Sequence, residues 1–253
     1  AYLNPYLGGM IAVAESARNV VCVGAEPVAI TNCLNFGNPY DPEVYYQFKE
    51  AIRGMGDACR TLETPVTGGN VSFHNQSRNH AIFPTPTIGM LGLIDDVTKI
   101  TGSGFRANGD VIMILGNTKR QELGGSEYVK QLTGKILGDA PMLDIDEEKR
   151  LQHTTLKAIR TGLIHSAHDC SDGGLAIALA EKAINSVGSL GAEIKSEFGN
   201  TATQLFGEMQ SRIVVSVQPE HVDSLKLLCT ENNVDCIEIG TVVIDNFTLG
   251  SIK

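Results

Sequence analysis

Short apolar, β-branched runs alternate along this chain with longer segments of helical spacing. That alternation confines it to layered α/β architectures. Residues 9–21 have helical spacing, and 27–34 read as extended. Residues 42–62 form a long amphipathic pattern opened by Asp41, Pro42 and Glu43, a helix N-terminal signature. Strands are expected at 65–71 and 87–94. The polar, glycine-containing stretch 95–109 reads as a linker. Beyond it come the strand DVIMILG, helices near 126–132 and 146–163, the strand SAHDC, a helix over 175–186, the strand RIVVSV, a helix over 219–232 and the strand DCIEIGTV. The expectation is two α/β domains, residues 1–105 and 106–253, divided near residue 106. No repeat of solenoid period is visible.

A chain of 253 residues can bury a core without disulfides or metal staples. Twenty Lys and Arg stand against 29 Asp and Glu, a net charge of −9. With no clustered basic face, binding to a nucleic-acid backbone is not expected. There is no Trp, and aromatics are 6% of residues, so base-stacking platforms are not expected either. An anion would have to be held by Mg²⁺ or by backbone N–H groups. No apolar run reaches the length of a membrane span. The six cysteines, Cys22, Cys33, Cys59, Cys170, Cys229 and Cys236, form no C-x-x-C pair. They read as reduced thiols in a cytoplasm. The chain starts at Ala1 with no signal-peptide pattern, and an excised piece of a longer product is expected.

Twenty-seven glycines gather in clusters between the periodic segments, where a backbone can approach a ligand or simply turn. Four constellations stand out. The first is His168-Asp169-Cys170-Ser171-Asp172-Gly173-Gly174 at a strand-to-helix junction. A phosphate fits a glycine turn at a helix N-terminus, and carboxylates there make sense with Mg²⁺ between them and the phosphate. The alternatives are a helix capped by Ser171 or Asp172, or Cys170 as a nucleophile with His168 as its base. The second is Thr67-Gly68-Gly69-Asn70-Val71-Ser72. Asn70 and Ser72 would face one side of a strand and suit a hard cation or phosphate; the alternative is a hairpin with a Gly-Asn turn. In the third, Asn32 and Asn35 lie in an apolar strand and need hydrogen-bond partners or a ligand. In the fourth, Glu208, Gln210 and Ser211 stand before a strand, as polar grips or as a solvated turn. His74, His80 and His153 read as surface residues.

Together, and in order, TNCLNFGNP, TPVTGGNVSFHNQS, FPTPTIGMLG, AHDCSDGGLAIALAE and FGEMQSRIVVSV closely resemble the second half of the phosphoribosylformylglycinamidine synthase family of purine biosynthesis. The opening GGMIAVAESARNVVCVGAEPVA resembles it too. Aminoimidazole ribonucleotide synthetase and selenophosphate synthetase are more distantly similar. The resemblance implies a barrel-forming N-terminal domain, here lacking its first strand, followed by a C-terminal α/β sandwich domain. It implies an ATP-dependent carbon–nitrogen ligase that phosphorylates the amide oxygen of formylglycinamide ribonucleotide. Ammonia from a glutaminase partner then displaces the phosphate. It further implies ATP contacts at Asn32 and Gly69, Mg²⁺ ligands at Asn70 and Asp169, and a substrate contact at Ser72. Ser171, Asp172, Gly173 and Gly174 would form an auxiliary phosphate loop, and Glu208, Gln210 and Ser211 mirror a substrate-binding string. Asn32 stands where many members carry Asp. The catalytic His is expected in the family's first half, so the chain alone is expected to be inactive and to pair with that half or with a second copy. The alternatives are a non-catalytic nucleotide-binding half and an aminoimidazole ribonucleotide synthetase-type enzyme, the latter disfavoured by LNFGNP and GGNVS.

Overall fold

The structure, a computed structural model, describes residues 1–77 and 80–250. The chain divides into two compact units: Ala1–Val20 with Glu26–Leu93, and Val21–Ala25 with the chain from Ile94 onward.

In the first unit, α1 (Pro5–Cys22) buries Met10, Val13, Ala14 and Ala17, one stripe at helical spacing. The helix α2 (Pro42–Leu62) begins where Asp41 Oδ1 accepts the Glu43 N–H at 2.9 Å. It buries Val44, Ala51, Met55 and Ala58. The two helices approach closely because Gly9 and Gly54 lack side chains; a Cβ on either would strike the backbone of Ala51 or Tyr6. The sheet has three strands in the order β2 (Val66–Ser72), β1 (Glu26–Asn35), β3 (Thr85–Leu93). β1 runs parallel to β2 and antiparallel to β3. Only β1 has fully buried residues, Ile30 and Leu34; the outer strands are exposed or half-exposed throughout. Val66, Val71, Leu91 and Leu93 are about half exposed.

The hairpin alternative for Gly69-Asn70 is overturned. Both residues lie inside β2, and its neighbour β1 is parallel to it, reached through the whole of α2. A parallel pair needs such a crossover.

The second unit carries six strands in the order β5 (Ser166–Asp169), β7 (Arg212–Val217), β4 (Val111–Gly116), β8 (Cys236–Ile244), β6 (Leu190–Ile194), β9 (Phe247–Leu249). Helices α4 (Ile145–Arg160) and α7 (Val222–Glu231) cover one face, and α5 (Gly174–Ile184) the other. Strand alternation sorts the side chains. Met113, Leu115, Ile213 and Val215 join Leu151, Ile159 and Leu225, whereas Ile112, Ile114 and Val214 join Leu175 and Leu179. The unit also holds α3 (Glu127–Thr133) and α6 (Ala202–Phe206). The α/β sandwich is thus present. β6, β9 and α6 have no counterpart in the sequence reading.

Residues 95–109 are not a loose tether. Phe105 is buried, the Ala167 N–H donates to the Gly102 carbonyl at 3.1 Å, and Lys182 Nζ donates to the Ser103 carbonyl at 2.9 Å. Lys182 is itself fully buried, bonds Ser166 Oγ at 2.8 Å and lies 5.2 Å from the Phe105 ring centre.

Candidate functional sites

In the first unit the site is built on the parallel pair β1–β2. The register places Asn32 beside Gly69, Cys33 beside Asn70, and Asn35 beside Ser72. By alternation, Asn70 and Ser72 share one face with Cys33 and Asn35, and Asn32 lies with Gly69 on the other. Gly69 has φ 151°, and a Cβ there would run into both Oδ1 and the carbonyl oxygen of Asn32. This position therefore demands glycine. The structure brings Asn32 and Gly69 into contact and separates that pair, across the sheet, from Asn70 and Ser72. Asn70 is exposed, with Cys33 and Thr87 completing its cross-strand row. Ser72 Oγ lies 3.1 Å from Asn75 Oδ1, and Asn75 Nδ2 donates to the Ser72 carbonyl at 2.7 Å. The Asn35 amide donates to the Cys33 carbonyl at 3.2 Å. The row is thus entirely neutral, one hydrogen-bonding group after another.

In the second unit, β5 ends at Asp169 and α5 begins after Gly173. Neither Ser171 nor Asp172 caps the helix, contrary to the capping alternative. Gly173 is the N-cap, at φ 76°, with no side-chain cap hydrogen bond of its own. Gly174 follows at φ 67°; a Cβ there would lie 2.6 Å from the Gly207 carbonyl oxygen. The turn is left-handed twice over, and short polar residues cannot cap it from their usual position.

The anion position at this turn is already taken. Glu208 Oε1 accepts the Gly173 N–H and the Glu127 N–H, each at 2.9 Å. Burial pushes the Glu208 carboxyl up, against the lowering effect of those two N–H donors. Glu208 therefore ties the loop to the start of α3, a role invisible in FGEMQSR. Gln210 and Ser211 are buried beside it, and Ser211 is held at φ 61°. Nearby, Leu175, Met209 and Arg212 meet Ile114, Phe198 and Ile237 around a cavity of about 80 Å³.

Asp169 is 3% exposed, and its Oδ2 is buried with no hydrogen-bond partner among the described residues. An oxygen left in that state is what a cation satisfies, so Asp169 fits the expected Mg²⁺. Asn70 offers one neutral oxygen. Among the described residues, no three His, Cys, Asp or Glu gather as a metal cluster. The nucleophile alternative fails: Cys170 is fully buried, and His168 Nδ1 lies 2.7 Å from the Asp169 carbonyl oxygen with Nε2 3.1 Å from Glu181. His74, His80 and His153 are exposed, as expected. No helix among the described residues is long and apolar enough to cross a membrane.

Residues 1–94 match the family model for the AIR synthase related protein, N-terminal domain, and 107–249 match its C-terminal domain. Among solved structures, Thermotoga maritima PurL complexed with FGAR superposes with a TM-score of 0.76 at 20% identity, over 96% of this chain and 40% of that one. The same protein complexed with ATP gives 0.71 at 21%, over 95% and 38%. Escherichia coli HypE, a hydrogenase maturation protein, gives 0.69 at 18%, over 93% and 74%. The chain thus spans about two fifths of the PurL structures it matches. At these identities the likeness speaks for the fold: two units of the same kind, in the same order. Matched in both units by one family's two domains, the chain belongs to the AIR synthase related family.

Proposed function

We propose that this chain is the second half of an ATP-dependent phosphoribosylformylglycinamidine synthase and contributes part of its Mg·ATP site. The observation that carries the reading is the Gly69–Asn32 approach. The backbone there admits no side chain, in the middle of the GGNVS string that resembles the family. In this reading Asn32 and Gly69 contact ATP, Asn70 and Asp169 each offer a Mg²⁺ ligand within their own unit, and Ser72 touches formylglycinamide ribonucleotide. When bound, Mg²⁺ would neutralise charge on the phosphate being transferred. The chain's own residues position: neutral hydrogen-bonding groups on β1 and β2 orient a polar ligand without binding it by charge. The enzyme works in a cytoplasm with a first half that supplies the catalytic His and a glutaminase that supplies ammonia.

The test is Asn70→Ala in the complete enzyme. The ATP requirement should rise and turnover fall, with Val71→Ile as a nearly silent control. Unchanged dependence on ATP and Mg²⁺ would reduce GGN to a strand segment. The chain alone should form no amidine product.

A second reading is favoured by the buried, unpartnered Oδ2 of Asp169, with an incoming phosphate displacing Glu208 from the Gly173 N–H. The 169–174 loop then serves as an auxiliary, structural nucleotide site. Asp169→Asn should abolish thermal stabilisation by Mg·ADP while most turnover of the complete enzyme survives. The opposite pattern would make this the reacting site.

A further inference from the structure

The last residue of β2 is gripped by a side chain three residues further on. After Ser72 the chain turns at His74, which takes a left-handed φ of 59° and donates its N–H to the Gly37 carbonyl at 2.9 Å. Asn75 is thereby brought back to the ends of β1 and β2. Its backbone N–H donates to the Phe36 carbonyl at 3.1 Å, and its carbonyl accepts the Ile82 N–H at 3.0 Å. Phe36 is buried and edge-on to Phe48, which packs in turn on Phe73. Asn75 therefore stands on a rigid support, as a group that orients another must.

The Asn75 amide fits in one orientation. Its Nδ2 lies 2.7 Å from the Ser72 carbonyl oxygen and 3.2 Å from the Phe36 carbonyl oxygen. An amide oxygen in that place would face two acceptors. Nδ2 thus directs its protons at those carbonyls, with Ser72 Oγ, 3.0 Å away, sharing one of them. Oδ1, which can only accept, lies 3.1 Å from Ser72 Oγ. Among the described residues, Oδ1 is the one acceptor to which the Ser72 hydroxyl donates. The hydroxyl proton is therefore committed to Asn75, and a lone pair is what the half-buried Ser72 keeps for a ligand. A phosphate dianion has no proton to offer that lone pair.

We propose that Asn75 is a positioning residue that fixes the polarity of Ser72, so that this position takes an N–H or O–H donor of its ligand and not the phosphate. The inference rests on the reading that Ser72 touches formylglycinamide ribonucleotide. In that molecule the donors are the ribose hydroxyls and the amide N–H groups. Asn75 thus acts through Ser72, by deciding which part of the ribonucleotide lies at the end of β2.

The experiment uses the complete enzyme, with formylglycinamide ribonucleotide as substrate and two relatives of it as competing ligands. One relative lacks the phosphate, and the other lacks the ribose 2′ and 3′ hydroxyls. Ser72→Ala should raise KM roughly two- to tenfold with kcat little changed. It should weaken the dephosphorylated competitor by the same factor. With the second competitor, loss of the factor assigns the donor to the ribose and its persistence assigns the donor to the amide; both support the proposal. Asn75→Ala should raise KM as Ser72→Ala does, and should add nothing when Ser72 is already Ala. The proposal is overturned if Asn75→Ala costs as much without the Ser72 hydroxyl as with it, as a merely structural loop residue would. It is equally overturned if the Ser72→Ala factor disappears with the dephosphorylated competitor, because the hydroxyl would then be donating to phosphate. A silent Asn75→Ala beside a costly Ser72→Ala sinks the inference alone and leaves the substrate contact standing. A silent Ser72→Ala sinks that contact and the inference with it. The competitor comparison in Ser72→Ala decides even if Asn75→Ala misfolds.

Discussion

The two sheets of this protein are built to opposite ends. In the second unit β4 and β7 are covered on both faces, with Met113, Leu115, Ile213 and Val215 on one side and Ile112, Ile114 and Val214 on the other. In the first unit β2 and β3 have no fully buried residue, and Leu91 and Leu93 follow Thr87 on the same face of β3, towards the other end of the strand. Strands buried on both faces are made of continuous apolar runs, whereas a strand that presents a surface carries mixed residues. The second sheet holds a unit together; the first offers a face.

The sharpest way to break this contrast is by truncation. Leu151→Ala, at a fully buried position of the second unit, should cost about 2–5 kcal/mol. Leu91→Ala, at 59% exposure, should cost well under ~1 kcal/mol. Urea unfolding followed by circular dichroism and amide exchange reads both. Equal costs would mean that the first sheet is also a core.

Lys182 gives the second unit a signature in pH. Burial lowers its ammonium from the usual 10.5 to about 7. Between those values the unfolded lysine holds a proton that the folded one has released, so stability should rise as pH climbs from 7 towards 10.5. The slope is at most ~1.4 kcal/mol per pH unit. Lys182→Met should remove that rise. A pH profile identical to that of the unsubstituted protein would show Lys182 charged in the fold.

Gly174→Ala should cost ~1–3 kcal/mol through backbone strain in the second unit. Gly69→Ala should instead be felt in the first unit as displacement of Asn32. Nuclear magnetic resonance shifts confined to β1 and β2 would confirm the placement, and shifts spread over both units would refute it. The smallest effect is association. We propose that the open sheet pairs with a second copy at micromolar concentration when no other half is present, because unpaired edges recruit chains. Leu91→Lys with Leu93→Glu should return light scattering to a monomer mass; a monomer before substitution would sink the idea.

What the sequence disclosed follows the same divide. DVIMILG and RIVVSV announce β4 and β7 because burial on both faces leaves only apolar residues there. Asp41, Pro42 and Glu43 announce α2 because capping is local. LGAEI and FTL, which become β6 and β9, carry no such run; their pairing with β8 and with each other is tertiary. Gly-Asn reads as a hairpin turn, yet Gly69-Asn70 is mid-strand because the backbone needs glycine beside Asn32. The polar stretch 95–109 reads as a linker, although the buried Phe105 and the hydrogen bonds to the Gly102 and Ser103 carbonyls fix it. Within the candidate sites, residue types were legible and the partners were not. Glu208 reaches a glycine 35 residues earlier in the chain, a distance no local pattern spans.

That carboxylate changes what binding at the 169–174 turn would measure. An incoming phosphate does not replace water there; it competes with an anion covalently attached to the same molecule. Such a competitor has a fixed effective concentration that neither dilution nor dialysis alters. Apparent affinity at the turn would then report the energy of detaching Glu208 as much as the attraction of the backbone for phosphate.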